Sequence, residues 1–250
     1  MNGSKLTLDK LIYKHDPVIH NFSAARQILP YLLRLKLINS VLDVGCGTGT
    51  WLSVAKDLGV SEISGIDGVN LTQSELKIPS NNFIVFNLSQ PFNLHKKFDL
   101  LICLEVAEHL PESAAITLVD TLTRHSDFIL FSAAIPGQGG QNHINEQWPH
   151  YWVSLFSSKG YFPCNILNDE FWNNEEVEWW YRQNMVIYGT KGALSSLNLS
   201  ISEDIHPKIH PALFKEKLDK INELEIFINN EVWHPSFKKS FRNLLKSIIK

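Results

Sequence analysis

The sequence predicts an α/β fold, a mostly parallel sheet with helices on both faces, and three observations predict it. Short apolar runs at 41–44, 62–68, 83–88, 98–104 and 127–135 alternate with stretches of helical periodicity. That alternation is the pattern of parallel strands joined by crossover helices. The run at 98–104 is almost continuously apolar, as a strand covered on both faces must be. Between the first strand and the first helix lies a turn holding Gly45, Gly47 and Gly49 within five residues, where a backbone bends sharply and leaves its amides open. Right-handed crossovers then bring the carboxyl ends of these strands to one edge.

Bulk properties narrow the function. A chain of 250 residues that is 44% hydrophobic can bury one substantial core, so one principal domain with additions is expected. A net charge of −3 excludes a general basic footprint for nucleic acid. Cys46, Cys103 and Cys164 are too few and too scattered for a disulfide framework, so reduced thiols in a cytoplasmic protein are expected. No apolar run is long enough to span a membrane, and the first residues carry no signal-peptide core. The expected partner is a small molecule.

In chain order, residues 21–37 come first, with Phe22, Ala25, Ile28, Leu29, Leu32, Leu33 and Leu35 near a helical stripe and Pro30 as a kink or boundary. His15, Asp16, His20 and Asn21 read as solvated residues on its approach. The glycine turn follows, with Asp43 two residues before its first glycine. A dinucleotide fingerprint would place its third glycine where Thr50 stands, and here Gly49 comes one residue early. A helix at 51–58 stops at Gly59, and the next strand ends in Asp67-Gly68. A carboxylate about 20 residues past such a turn grips ribose hydroxyls in this kind of sheet. It accepts hydrogen bonds without donating any, which suits a vicinal diol. Taken alone, Asp-Gly is also a common turn.

The segment 41–52 resembles motif I of the class I S-adenosylmethionine (SAM) dependent methyltransferases. The resemblance implies a Rossmann-like, seven-stranded, mostly parallel sheet whose sixth and seventh strands, 162–167 and 177–189, pair antiparallel. It implies an N-terminal helical cap (1–40), a SAM-binding core (41–190) and a C-terminal helical extension (191–250). SAM would be held by Asp43, Gly45, Cys46, Gly47, Gly49, Trp51, Asp67, Gly68, Asn87, Leu88, Leu104 and Glu105. Asn87 stands where many relatives place an acid, and would accept the adenine amino group through its carbonyl oxygen. The N-terminal helix would cover the cofactor, or simply pack on the sheet.

The chemistry is expected where the fourth strand runs into Glu105-Val106-Ala107-Glu108-His109. If a helix begins at Glu105, then Glu105, Glu108 and His109 share one face. Two carboxylates and an imidazole suit a divalent cation, and His143, after the fifth strand, could complete the set. The pattern is similar to one in the ubiquinone-pathway O-methyltransferases and the small-RNA 3'-terminal 2'-O-methyltransferases. There a metal binds substrate hydroxyls and lowers their pKa. The resemblance implies Mg, Mn or Zn at Glu105, Glu108, His109 and His143. In the metal-free alternative, His143 or His109 is the general base.

A helix is expected at 112–123, and another at 151–159. The loop 137–152, with Trp179, Trp180 and Tyr181, resembles that of bacterial methyltransferase-domain proteins acting on sugars or secondary metabolites. Its aromatics form either an acceptor wall or a core beneath the loop. In the tail, Leu213, Phe214, Leu218, Ile221, Leu224 and Ile228 keep helical spacing from about 212, as do Phe241, Leu244, Leu245 and Ile248. Lys238, Lys239, Arg242, Lys246 and Lys250 read as a solvated basic face. The function expected is metal-assisted methyl transfer from SAM to a hydroxyl of a small molecule. RNA 2'-O-methylation, disfavoured by the acidic balance, and a silent SAM-binding module are the alternatives.

Overall fold

The computed structural model describes residues 21–202, 205–232 and 239. His15, Asp16 and His20, the first half of the expected cap, and the apolar set from Phe241 to Ile248 with Lys238, Arg242, Lys246 and Lys250 lie outside the described residues. The chain forms two compact units, Met1–Lys208 and Ile209–Lys250.

The first unit is built on seven strands: β1 (Ser40–Val44), β2 (Glu62–Asp67), β3 (Phe83–Val85), β4 (Leu100–Leu104), β5 (Phe128–Ser132), β6 (Tyr161–Cys164) and β7 (Val186–Thr190). Their order across the sheet is β3-β2-β1-β4-β5-β7-β6. The strands from β1 to β5 pair parallel, while β7 lies antiparallel to both β5 and β6. This is the expected seven-stranded, mostly parallel sheet. The strand order reverses between β1 and β4, the switch point where ligands bind at the carboxyl edge of such sheets.

Side chains alternate between two cores. Leu100, Ile102 and Leu104 of β4 point to one, with α1 (Ser23–Leu35), α2 (Thr50–Asp57) and α5 (Ile166–Phe171). Leu101 and Cys103 point to the other, with α3 (Ala115–His125) and α4 (Pro149–Ser158). All five β4 residues are buried, and each such apolar side chain stabilises the fold by about 1.5–3 kcal/mol. α1 contributes Ala24, Ala25, Ile28, Leu29 and Leu32 to the first core. The helix runs through Pro30 rather than ending there. The missing N–H costs about 3 kcal/mol, offset by the apolar face buried on either side of it.

Four expectations need correction. The run at 177–189 is not one strand: residues Trp179–Asn184 form α6, and only Val186–Thr190 is extended. Aromatic residues favour strands only where a sheet surface receives them, and here Tyr181 packs edge-on against Trp51 instead. The run at 162–167 likewise splits, into the end of β6 and the start of α5. The third strand stops at Val85, two residues short of Asn87. Finally, no helix starts at Glu105: it has a left-handed φ of 52°, and Ala107–His109 is a single 3-10 turn. A further helix not expected from the sequence, α7 (Lys191–Ser196), follows β7, capped by the Thr190 hydroxyl.

In the second unit, α8 (Pro211–Phe227) begins at a proline already fixed in helical φ, and the His210 ring accepts the Ala212 N–H at 3.1 Å. Phe214, Leu218, Ile221 and Leu224 are exposed along it. Among the described residues, no helix is long and apolar enough to cross a membrane, and all three cysteines are free and buried.

Candidate active site at the carboxyl edge of the sheet

Three glycines with positive φ carry the chain from β1 into α2: Gly45 at 82°, Gly47 at 52° and Gly49 at 84°. At Gly45 the requirement is also steric, since a Cβ there would lie 2.2 Å from Val106 Cγ2. The turn is tied to the neighbouring strand, for the Gly45 and Cys46 N–H groups both donate to the Ile66 carbonyl, at 2.7 and 3.1 Å. Asp67 closes the frame. Its Oδ2 accepts the Gly47 N–H and its Oδ1 the Val69 N–H, each at 2.8 Å. Each oxygen keeps a further lone pair for a hydroxyl.

Asp43, at 3% exposure, lies in the β1 segment that enters this turn. Burial first, and then the neighbouring Asp67 charge, push its carboxyl well above the usual range. Cys46, Trp51 and Leu104 are each 8% exposed and belong to the apolar core that backs the turn. Gly68 follows Asp67 and is exposed. Asn87 is exposed, and its Oδ1 accepts the Ser89 N–H at 3.0 Å, which leaves that oxygen one further lone pair. Leu88 beside it is a core residue of the opposite face.

The second half of the site forms where the β4 end meets the loop after β5. The Ile144 and Asn145 N–H groups donate to the Glu108 carbonyl at 2.8 and 3.1 Å, which docks this loop on the 3-10 turn. As a result Glu108, His109 and His143 offer ligand atoms all within 4.8 Å of one another. The rings of His109 and His143 meet edge to face at 4.9 Å. Glu108 is fully buried, and neither carboxylate oxygen has a hydrogen-bond partner. Burial, then the adjacent Glu105 charge, push its carboxyl well up. A buried carboxylate left bare costs several kcal/mol unless a cation or proton joins it.

Glu105 adjoins the Glu108 carboxyl but is not among the three groups whose ligand atoms lie within 4.8 Å of one another. Its Oε2 accepts from Gln138 at 2.9 Å and its Oε1 from Asn184 at 3.2 Å. Gln138 also accepts from Asn184 at 2.9 Å. The left-handed backbone at Glu105 replaces the helical turn that the spacing suggested. Burial still raises the Glu105 carboxyl, against the hydrogen bonds from Ser132, Asn184 and Gln138 that lower it.

Sequence reasoning missed Glu146, Gln138 and Asn184. Glu146 Oε1 meets His143 Nδ1 at 2.9 Å and accepts the Gly139 N–H at 2.7 Å, while Oε2 accepts the Gly137 N–H at 2.7 Å. An acid three residues after a histidine in a glycine-rich loop was the available signal. The two amides lie 33 and 79 residues from Glu105 and left none.

The trio fits a divalent cation by its donor set and by the bare Glu108 oxygens. Asp67 fits the diol of an adenosyl cofactor by the lone pairs its two oxygens retain, whereas the Gly45, Cys46, Gly47 and Gly49 amides of the turn are already bonded within the chain.

Comparison with known proteins agrees with this geometry. Residues 19–183 match the family model described as a methyltransferase domain. A chloroplastic magnesium protoporphyrin IX methyltransferase from Arabidopsis thaliana is 32% identical over 81 residues, a stretch spanning 30% of this chain and 26% of that protein. Among solved structures, the sugar N-methyltransferase KedS8 from a Streptoalloteichus species superposes with a TM-score of 0.52 at 13% identity, over 76% of this chain and 98% of that one. DesVI from Streptomyces venezuelae gives 0.51 at 12% identity, over 71% and 100%. The chain belongs to the methyltransferase domain family and has the class I fold of SAM-dependent methyltransferases.

Proposed function

We propose that this chain transfers a methyl group from SAM to a hydroxyl of a small molecule of the sugar or secondary-metabolite type, with a divalent cation at Glu108, His109 and His143. The observation that carries the reading is the grouping of the fully buried Glu108 carboxyl with two imidazoles, their ligand atoms all within 4.8 Å of one another. Bound SAM would supply an electrophilic methyl on a sulfonium, and a bound cation would lower the pKa of an acceptor hydroxyl.

The chain's own residues supply binding and alignment. The turn from Gly45 to Gly49 leaves room for the cofactor, and Asp67 accepts from the ribose diol. Asp43 and Glu105 are buried carboxyls whose charged forms a bound sulfonium would favour. The loop docked on Glu108 holds His143 in place. Support for a small acceptor comes from the net charge of −3 and from relatives named for a porphyrin and a sugar acceptor.

A second reading has one observation in its favour. The His143–Glu146 contact is the base-and-orienter arrangement of a general base. Labelled-methyl transfer to a panel of hydroxylated acceptors, before and after EDTA treatment, separates the two. Loss of turnover with EDTA, restored by Mg, Mn or Zn, supports the cation. Turnover that survives EDTA but not His143→Ala transfers the role to the base.

A further inference from the structure

We propose that Glu146 is a positioning residue that locks His143 in the tautomer protonated at Nδ1, leaving Nε2 as the lone-pair nitrogen. Three hydrogen bonds converge on this one side chain. Gly137 N–H and Gly139 N–H each donate at 2.7 Å, and His143 Nδ1 lies 2.9 Å away. A carboxylate whose two oxygens already face backbone donors has only lone pairs to offer a third partner, so the proton between Glu146 and His143 sits on Nδ1. Neutral imidazole carries one proton, so Nε2 is bare. The same contact fixes the ring plane. Gly140 packs against the Nε2 end of the ring, where a Cβ would fall 2.2 Å from Nε2 and 2.5 Å from Cε1.

Glu146 also shapes the loop that presents His143. Gly137 and Gly139 take positive φ of 85° and 70°, and both their amides end on its carboxylate. The loop has a second, independent anchor in the Ile144 and Asn145 N–H groups on the Glu108 carbonyl. Removing the Glu146 side chain therefore frees the imidazole while that docking remains. The role of Nε2 at the cluster rests on the function proposed above, whereas the tautomer does not.

The test has two arms. In 15N-labelled protein in mildly alkaline buffer, with His143 assigned by difference against His143→Asn, wild type should show a protonated Nδ1 and a bare Nε2. Glu146→Ala should shift His143 toward the Nε2–H form, which free imidazole prefers. Glu146→Gln, which keeps an oxygen for Nδ1–H, should retain the wild-type tautomer. An Nε2–H form in wild type, or an unchanged tautomer in Glu146→Ala, overturns the proposal.

In the second arm, Mn2+ is titrated into the same proteins by calorimetry. Glu146→Ala should bind about 10–100-fold more weakly than wild type, with Glu146→Gln in between and affinity for S-adenosylhomocysteine unchanged in all three. Equal Mn2+ affinity in wild type and Glu146→Ala overturns the positioning role while leaving the cation site intact. If wild type takes no Mn2+ yet the tautomer switches, the cation reading fails and Glu146 stands as the orienter of a base.

Discussion

At the scale of single residues, the site depends on a few positions where backbone and side chain satisfy opposing demands. Gly45 and Gly59 separate two of these. Both have positive φ, but a Cβ at Gly59 meets nothing within 4 Å, whereas at Gly45 it strikes Val106. Gly59→Ala should therefore cost only the left-handed penalty of about 1–2 kcal/mol. Gly45→Ala should cost more and abolish cofactor binding, and Val106→Ala in the same chain should recover part of the lost stability. Urea denaturation of the three variants checks the order.

Asp43 gives a second residue-scale expectation, with its sign fixed by linkage. Its carboxyl is raised in the folded state, so the folded protein holds that proton more tightly than the unfolded chain does. The contribution is fully present below the unfolded pKa, about 3.9, and is lost as pH rises toward the folded value. Asp43→Asn should remove this downward slope and raise the melting temperature at neutral pH while weakening SAM binding. A pH series of melting curves on wild type and variant reads both slopes.

At the scale of elements, α6 and the loop after β5 hold the β4 terminus through side-chain amides. Asn184 and Gln138 bind the two oxygens of Glu105 and also bind each other. Residues sharing such a network couple rather than add, typically by about 0.5–3 kcal/mol. A double-mutant cycle of Glu105→Gln and Asn184→Ala should fall in that range, and strictly additive losses would contradict the network. This is also where the sequence was hardest to read. The glycine turn, Asp67 and the buried β4 run announce themselves because each needs particular residue types in a short window. The α6 helix and the partners of Glu105 do not, because tertiary contacts set them: Tyr181 finds Trp51, and Asn184 reaches across the fold to Glu105. The left-handed turn at Glu105 overrode a helical spacing that looked sound locally.

At the scale of the whole molecule, the sheet order brings the two halves of the site to one edge. The switch point between β1 and β4 sets the glycine turn beside the β4 terminus, and the parallel β4–β5 pair delivers the His143 loop next to it. Binding at either half should stabilise the folded chain by mass action. Mn2+ should raise the melting temperature of wild type and not that of Glu108→Ala, read by thermal shift across a metal series.

Calorimetric titration of S-adenosylhomocysteine into wild type and Asp67→Ala tests the central claim, an adenosyl-binding turn closed by an acid. Wild type should bind, and loss of charge-assisted hydrogen bonds to the diol should weaken Asp67→Ala by about tenfold or more. Equal affinities in the two proteins, or no heat in wild type, would contradict the account.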